Sequence, residues 1–225
     1  MIGIVTGLRS EARCIPPVVD RQIVCSGGDP ERARKAALDL IGRGVEGLVS
    51  FGLAGGLGTE LRPGDLLLPK AVVLPGGDHA ATDAAWRARI EERVQPAALR
   101  LHDGVLAGSD RLLVTVADKR ALREATGALA VDMESHAVAQ AARRGGVPFM
   151  VIRAIADPCD QALPETARNA LGPEGQVPAL AVLRALLDRP GDLLPLLRLG
   201  WQSGRAHATL RRVTLLAGPA LLAPG

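Results

Sequence analysis

Short apolar runs alternate with amphipathic stretches along nearly the whole chain. The run IGIVTG (residues 2–7) is β-branched and stops at glycine, which predicts a strand. RQIVCSGG (21–28) predicts a second strand closed by glycines. DPERARKAALDLIGRG (29–44) has the helical period, with Asp29 as N-cap, Pro30 at the first helical position and Gly42 or Gly44 at the end. GLVSFGLAGGLG (47–58) predicts a strand running into a glycine-rich turn, and PGDLLLPKAVVL (63–74) a strand pair. Beyond these, DAAWRARIEERV (83–94), DKRALREAT (118–126), ESHAVAQAARRG (134–145) and QVPALAVLRALLDRP (176–190) predict helices. DGVLAGSDRLLV (103–114), ALAVDM (128–133) and VPFMVIRAIAD (147–157) supply strands between them.

Strands that alternate with helices, several of them apolar on both faces, define an α/β domain whose sheet is covered. A length of 225 residues suits one domain with a sizeable core. No internal repeat and no long linker divides it. The tail from residue 190 differs, mixing leucines, arginines and Trp201, and its last residues read as disordered.

Composition narrows the function. With two Phe, two Trp and no Tyr, the core must be aliphatic and the chain lacks a stacking platform for single-stranded nucleic acid. A net charge of +3 is weak attraction for a polyanion, so no nucleic-acid partner is expected. Cys14, Cys25 and Cys159 match no zinc or redox spacing and read as structural thiols of a reducing cytosol. Neither a signal-peptide pattern nor a run of about 18 apolar residues is seen, so a cytoplasmic protein is expected.

The chemistry lies in three stretches. SFGLAGGLG (50–58) lets backbone N–H groups approach a ligand, or is simply a structural turn; it fits neither the dinucleotide fingerprint nor the P-loop. VDME (131–134) delivers Asp132, Met133 and Glu134 to the carboxyl edge of a strand, where ligands of α/β sheets tend to sit. An ionised Glu134 only accepts hydrogen bonds, which suits a vicinal diol, and Met133 offers a soft apolar face. The alternative for Glu134 is an exposed residue of the first helical turn. VIRAIAD (151–157) ends an apolar strand in Asp157. A partly desolvated carboxyl there has a raised pKa and serves as a general acid, or Asp157 is a cap or a loop residue paired with Arg153. His136 reads as structural.

GIVTGLRSEA (3–12), SFGLAGGLGTELRPGDLLLP (50–69) and AVDMESHAVAQAARRGGVPFMVIRAIAD (130–157) together resemble the nucleoside phosphorylase superfamily that includes the methylthioadenosine/S-adenosylhomocysteine nucleosidases. The likeness covers roughly residues 2–187. GSDRLL (108–113), ALAVDMESH (128–136), DQALP (160–164) and RPGDLLPLLRLGWQSGRAHATLRR (189–212) resemble its hopanoid-associated phosphorylase branch. That likeness implies a single-domain α/β nucleoside-phosphorylase-like fold, with a central mixed twisted sheet flanked by helices over residues 1–190. A basic amphipathic extension would follow over 191–225. It implies release of adenine from a 5′-substituted adenine nucleoside, adenosylhopane, in hopanoid biosynthesis.

By resemblance, Asp157 protonates the purine at N7, Glu134 grips the ribose hydroxyls, Met133 lines the sugar, and Glu11 polarises an attacking water. Ala54 and Gly55 belong to the loop beside the nucleophile, Arg111 and Leu112 surround the base, and Asp132 and Arg153 support from behind. Arg9 and Arg13 flank Glu11 and suit the oxygens of inorganic phosphate, or are surface residues. The branch resemblance favours phosphorolysis, with phosphate as co-substrate, over hydrolysis of adenosylhopane or of methylthioadenosine and S-adenosylhomocysteine. No metal and no organic cofactor is expected.

The chain departs from the nucleosidases at Ala156 and Leu53, where they carry serines, at Arg111, where they carry an aromatic, and at Asp132, where they carry a glutamate. A homodimer or higher homo-oligomer is expected. So is contact of the C-terminal helix with the inner face of a membrane, through Leu193, Leu194, Leu196, Leu197 and Trp201 with Arg198, Arg205, Arg211 and Arg212 beside them. The alternative is a helix packed on its own domain or on a second subunit. The non-enzymatic rival is a nucleoside or lipid sensor on a decayed enzyme fold; retention of Asp157, Glu134 and Glu11 together argues against it.

Overall fold

The structure is a computed structural model that describes residues 1–17, 21–164, 190–218 and 221. Its strands are β1 (Ile2–Thr6), β2 (Arg21–Cys25), β3 (Gly47–Gly56), β4 (Leu66–Leu67), β5 (Ala71–Val73), β6 (His79–Ala81), β7 (Leu101–His102), β8 (Val105–Gly108), β9 (Ala130–Asp132) and β10 (Phe149–Asp157). Among the described residues the α-helices are α1 (Arg9–Ala12), α2 (Pro30–Gly42), α3 (Ala84–Val94), α4 (Val116–Thr126), α5 (Ser135–Gly145) and α6 (Leu193–Ala217). The strands form one mixed ten-stranded sheet in the order β6-β5-β8-β9-β3-β10-β4-β7, with β1 branching from β3 and β2 paired to β1.

The long strand β3 organises this sheet. Its first residues run parallel to β1, and most of its length runs parallel to β10. Its last two residues, Gly55 and Gly56, turn to pair antiparallel with Val131 and Ala130 of β9. The carboxyl ends of β1, β3 and β10 and the end of β9 therefore converge on one region.

Alternation along the strands sorts the core into two faces. Leu48, Val151 and Ile155 point to the face covered by Ala33, Ala37 and Leu40 of α2 and Ala137, Val138 and Ala141 of α5. Val49, Phe51, Met150, Ile152 and Ala154 point to the other, against Trp86 and Ile90 of α3 and Ala206, Leu210 and Val213 of α6. The core is aliphatic, as the composition predicts. The small alanines of α2 and α5 let both helices lie close to the sheet.

The caps follow the sequence. Asp29 accepts from the Arg32 N–H at 2.8 Å and Pro30 opens α2, while Gly146 takes the left-handed conformation (φ 64°) that ends α5. The stretch after residue 190 is mostly one helix, α6. One face of its second half is buried, with Thr209 Oγ1 donating to the Gly64 carbonyl (2.6 Å) and Thr214 Oγ1 to the Cys14 carbonyl (2.8 Å). Its first half exposes Leu194 (76%), Leu197 (61%) and Trp201 (63%), with Arg205 stacked over the Trp201 ring.

Cys14, Cys25 and Cys159 are free thiols. No described helix is long and apolar enough to cross a membrane. The helix expected over 176–190 lies outside the described residues except for its last position, and so do the final residues expected to be disordered, 219–220 and 222–225.

Candidate functional site

Two groups of side chains meet where the strand ends converge, and Asp132 belongs to both. The first surrounds a cavity of about 50 Å³ lined by Gly55, Arg111, Leu112, Leu113, Lys119, Val131, Asp132, Met133, Asp157 and Leu163. The second is a buried knot of Glu11, Glu134, Asp132, Arg153, Ser50 and Ser135. A wider cleft of about 350 Å³ lies elsewhere, beside His79, Thr82, Asp83 and Arg143, but gathers no comparable set of carboxylates.

Asp157 reaches the cavity through an irregularity in β10. Ile155 pairs with Ala54, but the next paired residue is Asp157 with Gly55, so Ala156 is the extra residue of a β-bulge. Asp157 thereby lies beside Gly55, where a Cβ would come within 3.5 Å of its carboxyl. Burial raises its pKa, and the adjacent Lys119 ammonium opposes this without cancelling it. Lys119, buried on α4, bonds Asp157 Oδ2 and also donates to the carbonyls of Pro158 and Gln161, each at 2.8 Å. Pairing of Asp157 with Arg153, one alternative from the sequence, is not what forms.

Arg153 shares the parity of Val151 and Ile155 and so points from β10 toward α5. Its Nη2 contacts Asp132 Oδ2, Glu134 Oε2 (3.3 Å), Ser50 Oγ (2.7 Å) and Ser135 Oγ (3.1 Å). The Ser135 hydroxyl reaches both Asp132 and Ser50, the latter at 3.0 Å. Opposite, Glu11 accepts three backbone N–H groups at 2.8 Å: Gly7 and Leu8 on Oε2, and Leu53 on Oε1. A carboxylate has about four lone-pair sites, so Oε1 keeps one acceptor position. Gly7 and Gly52 make this packing feasible. A Cβ at Gly7 would lie 2.9 Å from the Glu134 carboxyl carbon, and one at Gly52 2.6 Å from that of Glu11.

Burial raises the pKa of Glu11, with Arg153 and the three N–H groups pulling the other way. Burial also pushes Glu134 up to about 8, with Asp132 and Glu11 adding to the rise and Arg153 restraining it. Such a group binds its proton more tightly folded than unfolded. Its stabilising contribution is full below about 4.5 and is lost as pH rises through about 8. Wild-type stability is therefore expected to fall across that window, by up to about 1.4 kcal/mol per pH unit from this group. The Glu134→Gln variant should lose that slope. Urea unfolding from about pH 5 to about pH 9 measures it, and equal slopes in the two proteins would refute the assignment.

Of the residues named from the sequence, Asp157, Gly55, Met133, Asp132, Arg111 and Leu112 come together on the cavity wall. Glu11, Glu134 and Arg153 come together beneath it, and the Leu53–Ala54 backbone passes Glu11. Arg9 on α1 and Arg13 just past its end are exposed, and neither is among the residues that line the cavity. Arg111 has a largely exposed side chain (74%) and pairs with Asp118 at 3.3 Å across the cavity mouth. His136 is buried against Asp110 (3.0 Å), beside the segment that carries Arg111.

Lys119, Ser50 and Ser135 were missed. The signal for Lys119 was present: it stands three residues from Val116 and from Leu122, on the inward stripe of α4, where a lysine needs a buried acid.

A branched mixed sheet flanked by helices, with acids gathered at its strand ends, defines a class of α/β proteins built to hold a small polar ligand. Comparison with known proteins gives the family. The phosphorylase superfamily matches residues 19–187, and the chain belongs to it. The 5′-methylthioadenosine/S-adenosylhomocysteine nucleosidase of Staphylococcus aureus (strain Newman) is 27% identical over 127 residues, 49% of this chain and 56% of that protein. The chain thus spans little more than half the length of that curated relative. The S. pneumoniae 5′-methylthioadenosine/S-adenosylhomocysteine nucleosidase, solved with the transition-state inhibitor MT-ImmA, superposes with a TM-score of 0.69 at 18% identity, over 96% of this chain and 99% of that one. The futalosine hydrolase of Helicobacter pylori strain 26695 gives 0.68 at 19% identity, over 94% and 96%.

Proposed function

We propose that this protein cleaves the N-glycosidic bond of a 5′-substituted adenine nucleoside, adenosylhopane, and releases adenine. The observation that carries the reading is the buried Asp157 on the cavity wall, next to Met133 and Asp132 and above the Glu11–Glu134–Arg153 knot. A proton donor and a set of sugar-binding acceptors at adjoining places are what this bond cleavage requires. The names of the relatives and neighbours, nucleosidases and a futalosine hydrolase, support the reaction class.

In this mechanism the C1′–N9 bond breaks as Asp157 gives its proton to N7 of the purine, so the base leaves neutral. The sugar gains oxocarbenium character, and the Glu134 carboxyl, which keeps its proton up to about pH 8, holds the ribose hydroxyls through its acceptor oxygen and its O–H. Water adds its oxygen to C1′ and passes a proton to the open acceptor position on Glu11 Oε1. The balance is nucleoside plus water to free sugar plus adenine. Water suits this arrangement better than inorganic phosphate, the co-substrate implied by the branch resemblance. Phosphate would place its charge beside Glu11 and Asp132, where the cation bonded to Asp132 among the described residues is Arg153, whose Nη2 is shared with Glu134.

The cavity, of about 50 Å³, is walled on one side by the Arg111–Leu113 segment. The exposed leucines and Trp201 of α6 lie beside Arg198, Arg205, Arg211 and Arg212, and α6 has no acidic residue. That face suits the anionic surface from which a membrane-embedded nucleoside would be drawn.

The test presents adenosylhopane in vesicles with and without anionic lipid, and methylthioadenosine in solution, each with and without phosphate. Free adenine and the mass of the sugar product are followed. Phosphate-independent adenine release from adenosylhopane, faster from anionic vesicles, is expected. Release that requires phosphate would replace water by phosphate as nucleophile. Reaction of methylthioadenosine alone would remove the lipid substrate.

A further inference from the structure

Lys119 is a buried cation with a complete set of acceptors. Its side chain is 1% exposed, and its ammonium meets Asp157 Oδ2, the Pro158 carbonyl and the Gln161 carbonyl, one for each of its three donors. No donor is left to point at a substrate. Space alone does not explain the residue, since an apolar side chain would fill that part of the α4 stripe without the cost of burying a charge. The bulge adds a need for it: the Ala156 side chain has no polar atom, and Asp157 Oδ1 has no hydrogen-bond partner among the described residues.

We propose that Lys119 is the positioning residue for Asp157, tying one carboxyl oxygen to α4 and to the Pro158–Gln161 turn so that the other is presented to the base. The inference rests on the base-release reading above. Among the described residues that line the cavity with Asp157, the charged groups are Lys119 from α4, Asp132 from the end of β9 and Arg111 from the segment before α4, while β3 presents Gly55. Lys119 is the one among them bonded to the carboxyl. The same tether ties two segments of the cavity wall together, because Leu163 N–H also bonds the Val114 carbonyl (2.9 Å) just before α4.

The test compares wild type with Lys119→Met and Lys119→Arg, reading kcat, KM and the pH profile, with thermal melting to check folding. For Lys119→Met, kcat is expected to fall about 10²-fold with KM little changed, the scale of a misplaced reacting group. The alkaline limb should move up by about one unit, because a carboxyl without its ammonium neighbour keeps its proton to higher pH. Lys119→Arg should hold the limb near the wild-type position while recovering only part of kcat, since a planar guanidinium cannot meet three acceptors set around an ammonium.

A loss of kcat with an unmoved limb, or no loss at all, would overturn the proposal. If Lys119→Met does not fold, Lys119→Arg decides: partial recovery of kcat with the limb in place supports the proposal, and full wild-type kcat or a limb displaced despite the retained charge overturns it. If wild type releases no base from any nucleoside, the functional reading has failed instead. The carboxyl ¹³C titration of Asp157 then decides: an upward shift in Lys119→Met, with Lys119→Arg close to wild type, supports the tether, and an unchanged titration in Lys119→Met or a shifted one in Lys119→Arg overturns it.

Discussion

Replacing Asp157 by asparagine is expected to lower the rate of base release about 10²–10⁴-fold while nucleoside binding persists. Asparagine keeps the shape of the side chain and an oxygen for Lys119, so the bulge and the turn that follows should survive. It has no acidic proton to give. The wild-type carboxyl is suited to the task because burial raises its pKa, while Lys119 keeps it from becoming too weak an acid. The two influences oppose each other, which brings an acid toward the pH at which it must work. Single-turnover release of adenine and equilibrium binding of an uncleavable nucleoside analogue, measured on the same preparation, separate chemistry from affinity. Turnover within a few-fold of wild type would remove Asp157 from the mechanism.

Asp132, Glu134 and Asp157 could be singled out from the chain because each ends an apolar run, where an acid needs either water or a partner; Glu11, in the polar stretch of α1, is named by resemblance alone. Ile2–Thr6, Gly47–Gly56 and Phe149–Asp157 announce themselves as buried parallel strands, and their carboxyl ends are where the acids lie. The partners could not be read the same way. Arg153 and Asp157 stand four residues apart on one strand, which invites pairing them. The bulge at Ala156 breaks the alternation, and Arg153 turns instead to Asp132 and Glu134 while Lys119 takes Asp157. A single extra residue in a ladder leaves no mark in hydrophobic periodicity. Ser50 and Ser135 escaped notice for a related reason. Both look like ordinary polar interruptions, and only the crossing of β3 under the start of α5 brings their hydroxyls within 3.0 Å of each other.

For Arg9 and Arg13 the sequence leaves two readings open, phosphate ligands or surface residues, and both are exposed. Proximity to Glu11 in sequence suggested a shared site. In a four-residue helix, however, the side chains two positions away face outward when Glu11 faces in. The altered position at residue 111 has a physical counterpart: its guanidinium is tied to Asp118 at the mouth of the cavity rather than stacked within it.

The Arg153→Met variant is expected to be the most destabilised single substitution in this site, by about 3–5 kcal/mol near neutral pH, the usual cost of removing one member of a buried ionic cluster. Arg153 is fully buried, and the positive charge it brings lowers the pKa of both Glu11 and Glu134. Methionine fills much of the same volume but leaves those carboxyls with burial and mutual repulsion alone, so both would hold their protons to still higher pH. The sign of the pH dependence follows. A folded state that binds more protons than the unfolded chain loses stability as pH rises, so the deficit of Arg153→Met should be smallest near about pH 5 and grow toward about pH 9. Lost packing alone would give a deficit independent of pH. Chemical unfolding of wild type and variant across that range distinguishes the two. A constant difference would mean that Arg153 serves the knot by shape, and that the acids beneath the cavity do not depend on its charge.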